Sequence, residues 1–127
     1  MKTPIQEASL RGRIWYKGTD REILGKALCD VGGKSNVGVG LLELAPACNT
    51  LPSHYHTHEE EHLFVLSGVA ILHLGSETFE LTEGSYVHFP AQQEIFHHLE
   101  NISVEPFRYI MIGERNSADS VIYKKDA

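Results

Sequence analysis

Apolar positions in this chain come in short runs, broken about every 8–12 residues by Gly, Pro, Asn or Ser, the rhythm of an all-β domain. No window sustains the 3.6-residue period of an amphipathic helix. The pattern predicts strands over Glu22–Cys29 and Val37–Leu44, with a turn at Asp30–Asn36 between them and Pro46 ending the second. Pro52–His58 reads as extended, and His62–Leu66 is rich in residues that favour strands. Ser67-Gly68 makes a tight hairpin turn into Val69–Leu74, and a second hairpin joins this to Glu77–Leu81 through Gly75-Ser76. Gly84 leads into Tyr86–Phe89, which Pro90 stops. His97–Asn101 and Phe107–Gly113 follow, with Val121–Tyr123 as a short edge strand and residues 1–20 as a partly ordered arm. About ten short strands must close into a barrel or pack as two sheets, because one open sheet would leave long bare edges.

The length of 127 residues fits one domain, which buries roughly two-thirds of its unfolded surface. A net charge of −6, with no Lys/Arg cluster, argues against a nucleic-acid partner. No apolar run approaches the roughly 20 residues of a membrane helix. The opening residues MKTPIQEASLRGRIW hold no apolar export core, so Cys29 and Cys48 are expected reduced and the setting cytoplasmic.

What changes this plain picture is histidine: all eight fall between His54 and His98. Side chains alternate along a strand, so His54 and His56 point to one face about 6.6 Å apart, close enough for two imidazoles to lean onto one ion. Glu61, after a short step, can bring a carboxylate to the same point. His97 shares its inward face with Leu99 and Asn101. Three neutral nitrogens and one carboxylate suit one divalent transition ion; Mn, Fe, Ni, Zn and Cu are not distinguished. Open positions on such an ion belong to a catalytic site, whereas a structural site is closed. Read alone, a His-x-His pair is more often a surface or packed pair than a ligand pair.

The joint spacing decides between these. His54-Tyr55-His56, four residues, Glu61, six residues, Gly68 resembles the first motif of the cupin superfamily. Gly84, five residues, Pro90, then His97, three residues, Asn101 resembles its second. The resemblance implies a small single-domain cupin over residues 1–127, with its metal motifs at 54–68 and 84–101. It implies an all-β double-stranded β-helix, a jelly-roll barrel, in which His54, His56, Glu61 and His97 hold the metal. Three positions depart from the pattern. Cys48 and Gln92 stand where glycines are expected, and Ser85 stands where Asp is common. The stretch from Gln92 to His97 is also two residues longer than the consensus. Gln92 takes positive φ poorly, and His98 is the substitute ligand if the register slips by one.

The other polar candidates have plainer readings. His58 is a neighbour of the ligands or a substitute for one, His62 faces away from the interior, and His73 and His88 lie on strand surfaces. Glu59 and Glu60 are expected to be solvated. His58 and Tyr86 are the weak candidates for a general acid or base. Tyr86, Phe64, Phe89, Phe96 and Phe107 are cavity lining or simple core, and Cys48 is a small buried residue. Gly33-Lys34-Ser35 lacks the first glycine of a phosphate loop, since residue 28 is Leu28.

The resemblance implies a metal-dependent enzyme acting on a small oxygen-rich metabolite. A dioxygenase is placed slightly ahead of an isomerase, decarboxylase or lyase, since the fold does not choose among them. The alternative is a non-catalytic module that binds or senses a small ligand through its metal. About 14 residues follow Gly113, too few for a DNA-binding helix pair. A storage or structural barrel would need an empty or closed site. Association as a homodimer is expected, with Ile14-Trp15-Tyr16 as a docking element, or with Trp15 simply capping the barrel.

Overall fold

The computed structural model describes residues 4–29 and 35–125. The predicted turn Asp30–Asn36 lies outside the described residues except for its last two positions. Eleven strands are found among the described residues: β1 (Arg13–Trp15), β2 (Ile23–Ala27), β3 (Val37–Leu44), β4 (His54–His56), β5 (Glu61–Ser67), β6 (Ala70–Leu74), β7 (Glu77–Leu81), β8 (Tyr86–Phe89), β9 (His97–Glu100), β10 (Phe107–Glu114) and β11 (Val121–Tyr123). They pair antiparallel into two sheets, ordered β1-β2-β3-β10-β5-β8 and β11-β4-β9-β6-β7. These sheets face each other as a double-stranded β-helix. Two local readings are corrected. The arm carries a strand, β1, on the edge of the larger sheet. The Ser67-Gly68 turn joins no hairpin, because β5 and β6 lie in different sheets. Gly68 makes that crossing at φ +92°, where a Cβ would stand 2.6 Å from the Pro106 carbonyl oxygen, so only glycine fits.

The core grades in size from one end of the barrel to the other. Inward positions of β3 run Leu44, Leu42, Gly40, Gly38, and those of β10 run Phe107, Tyr109, Met111, Gly113 in matching register. At the wide end Leu44, Phe107 and Val65 are wholly enclosed. At the other end glycines leave space, and Gly113 sits opposite Glu61. The smaller sheet shows the same gradient: Leu72 faces Leu99, then Leu74 faces His97, which pairs with His54. An apolar plug therefore fills one end, and the polar side chains gather at the other.

Asn101 ties the plug together. It is 1% exposed, and its amide donates to the carbonyls of Leu44, Ala45 and Glu105. Its own oxygen accepts from the Ser103 backbone N–H. On the outer face of the larger sheet Glu7 accepts from Lys26 and Arg108, and Arg108 also donates to Glu43. These bonds hold the arm across that face.

Candidate metal centre

The short strand β4 presents His54 and His56 to the interior by simple alternation, with Tyr55 turned out against Phe96. Glu61 opens β5 and faces them from the opposite sheet. One donor atom from each of His54, His56 and Glu61 lies within 4.8 Å of the others. His97 enters from β9 directly beside His54, with ring centroids 4.7 Å apart, and its other side stacks on Phe89 at 4.1 Å. It lies at the edge of the three-donor group, with its ring packed between His54 and Phe89. The two-residue extension before it does not displace it. Gln92 takes the left-handed conformation in glycine's place, at φ 64°, and His98 turns outward to Ser53 and a stacked His73.

Glu61 Oε1 is buried and has no hydrogen-bond partner; His56 Nε2 is 3.2 Å away but misaligned for a bond. A buried carboxylate oxygen left bare costs about 1–3 kcal/mol or more. Facing it are imidazole nitrogens that, when neutral, offer lone pairs to the same point. Such a donor set fits a divalent transition cation better than it fits itself.

The electrostatics follow from burial and this crowding. Burial pushes His97 down to about 4, helped by repulsion from His54. His54 is also lowered, chiefly by burial. Both are therefore neutral near pH 7, as ligation requires. His56 is raised to about 9 by its polar contact with Glu61, and further by Asp119. Burial raises Glu61, but the neighbouring His56 outweighs it and the carboxyl lies below its ordinary value.

Two acidic groups beside the centre were not expected there. Asp119, just ahead of β11, accepts from His56 Nδ1 at 2.8 Å through one oxygen. Its other oxygen accepts the backbone N–H groups of His58 and Glu59. Glu59, expected to be solvated, accepts the Asn116 backbone N–H and borders the same cavity as His56, Glu61 and His97. No local pattern marks Asp119, because it lies 63 residues from its partner. Glu59 carries only parity: it points inward with Glu61. The two weak acid–base candidates sit elsewhere. The His58 ring turns to Thr57 and is exposed, while Tyr86 is on the outer face of β8, bonded to His62. Neither reaches the donor group. Space beside the donors is small, about 30 Å³, room for roughly two waters. A shallow groove of about 280 Å³, lined by Gly38, Gly40, Met111 and Gly113, leads to Glu61 from outside.

Known proteins share this fold. The family model of the cupin domain matches residues 40–113. No curated protein matches the sequence. Among solved structures, a sugar phosphate isomerase of the cupin superfamily from Silicibacter pomeroyi superposes with a TM-score of 0.85 at 22% identity, covering 98% of this chain and 83% of its own. A proposed sugar phosphate isomerase from Acidithiobacillus ferrooxidans gives 0.77 at 26% identity, over 91% of this chain and 73% of its own. A polyketide cyclase from Streptomyces resistomycificus gives 0.83 at 18% identity, over 100% and 88%.

Proposed function

The chain belongs to the cupin family, and from that premise we propose that it is a metal-dependent enzyme acting on a small oxygen-rich metabolite. The observation that carries this reading is the bare, buried Glu61 Oε1 facing histidine nitrogens beside a small cavity. His54, His56 and Glu61 would hold the metal, with His97 as the fourth ligand. When bound, the ion supplies a Lewis acid that polarises a substrate oxygen.

The chain's own residues favour proton transfer over the dioxygenase chemistry expected from sequence. Glu59 is a carboxylate bordering the cavity that the ligand set does not need. Its Oε2 is held by the Asn116 N–H, and its Oε1 lies 3.9 Å from His56 Nδ1. Turned from His56 Nδ1 into the cavity, it would take a proton from the carbon next to a polarised carbonyl and return it to the carbonyl carbon while the hydroxyl proton passes to the carbonyl oxygen, which is an isomerisation. Phe89 and Leu74 are among the residues that line the cavity. The names carried by two of the similar structures, one a sugar phosphate isomerase and the other a proposed one, support the same chemistry.

The test is metal-loaded protein in deuterated water with a panel of sugar phosphates and small keto and hydroxy acids. Metal-dependent deuterium uptake into one of them, lost in His56→Ala, is the expected result. Oxygen consumption without exchange would return the reading to a dioxygenase. Tight binding with the ligand recovered unchanged and unlabelled would replace the enzyme with the sensing module. A homodimer and a cytoplasmic setting belong to the same proposal. Among the described residues no helix is long and apolar enough to cross a membrane, and sedimentation velocity would read the oligomeric state.

A further inference from the structure

The alternation that turns Glu61 inward turns Glu60 and His62 outward, and the cross-strand partner of His62 on β8 is His88. Their imidazoles lie parallel, centroids 4.4 Å apart and planes 7° apart. Both Nε2 atoms converge on one oxygen, Glu60 Oε1, at 2.7 Å from His62 and 3.0 Å from His88. One atom from each of the three residues lies within 4.8 Å of the others. We propose that Glu60, His62 and His88 form a second divalent transition-metal site on the outer face of the larger sheet, sharing no donor with the interior group.

The distances argue for it. Ligand atoms about 2.1 Å from an ion and about 90° apart stand about 3.0 Å from each other, so the three donors need little movement to take one ion between them. An exposed ion pair needs one cation and one carboxylate, and is worth about 0–1 kcal/mol. Here a second imidazole is committed to the same oxygen, and a tyrosine holds the far nitrogen of the first. Tyr86 Oη lies 2.6 Å from His62 Nδ1, and its ring stacks on that imidazole. This contact fixes the ring plane and keeps Nε2 toward Glu60, as a hydrogen bond to the far nitrogen does for metal-bound histidine. Two imidazole nitrogens and one carboxylate select zinc, nickel or copper(II) over magnesium or calcium. The donors are half-exposed, which leaves the remaining positions to water or an incoming ligand atom. His88 also borders the interior cavity, so the two sites are neighbours.

The experiment uses the full chain, stripped with a chelator and titrated with zinc by calorimetry, with bound metal counted after dialysis. In a His54→Ala/His56→Ala background one zinc per chain should remain, and adding His88→Ala or Glu60→Gln should weaken it at least tenfold. A background that binds no zinc, or an affinity unmoved by both added changes, overturns the proposal. Should that background fail to fold, His88→Ala alone in the otherwise unchanged protein must remove one zinc equivalent, and an unchanged count overturns the site. Copper(II) resonance spectra add a signature that packing alone would not move: nitrogen splitting from two imidazoles, lost in His88→Ala. Loss of interior zinc with the outer zinc retained would count against the proposed enzyme centre and leave this site standing; the reverse result separates them the other way.

Discussion

Asp119 sets which nitrogen of His56 faces the cavity. With Nδ1–H donated to the carboxylate, a metal need displace only the Nε2 proton, which faces Glu61 in the metal-free protein. In Asp119→Asn the amide oxygen must stay with the His58 and Glu59 backbone N–H groups. Its NH₂ then faces Nδ1 and drives the proton onto Nε2. Metal affinity should fall about 10–100-fold, and the metal-free protein should lose some stability at neutral pH, where the Asp119 charge supports protonated His56; calorimetry and a thermal scan would read the two together. The interior histidines also give the metal-free protein a pH signature. His97, held at about 4 against 6.5, is protonated first in the unfolded chain, so stability drops as pH falls from 6.5 toward 4. His56, raised to about 9, stabilises fully below 6.5 and loses that contribution as pH climbs through 9. Urea midpoints should therefore be higher at pH 6.5 than at 4 or 9, by an amount on the order of 1–3 kcal/mol; a flat profile would contradict the coupling. At this scale His54, His56 and Glu61 were legible from a period of two and a spacing. Asp119 was not, because nothing near it in the chain needs it.

Strand positions were nearly all readable from the chain, because each strand announces itself by composition and by the glycine or proline that ends it. Partners were not. The Ser67-Gly68 step looks like a hairpin turn but carries the chain between sheets, since the carbonyl of Pro106 crowds its inner side. Gly68→Ala should cost about 2 kcal/mol or more through backbone strain and that contact, seen as a lower urea midpoint with an unchanged slope. Gln92 is the opposite case. The sequence argues that a side chain resists positive φ, yet the turn before His97 demands it, and Gln92 complies at φ 64°. Gln92→Gly should relieve the strain and raise stability by up to about 1 kcal/mol. Asn101 shows a motif residue in a structural role: its carboxamide satisfies three carbonyls where β9 meets the turn toward β10.

For the molecule as a whole, a ligand that binds only the folded barrel must stabilise all of it. Metal at a hundredfold excess over its Kd adds about 2.7 kcal/mol per site, so loading should raise the melting temperature by several degrees, and a chelator should reverse the gain. No shift with any of the five metals would remove the basis of the proposed chemistry. The amino-acid order by itself determined the strand inventory and the inward aim of four candidate donors, because alternation and turn chemistry act over a few residues and are written locally; the choice of a jelly-roll barrel came from the resemblance of the two motifs. Tertiary structure alone decided that Asp119 and Glu59 stand beside those donors, that Tyr86 does not, and that Glu60, His62 and His88 meet on the outside. Those encounters come from strands paired across tens of residues, and sheet register carries no local trace of its partner.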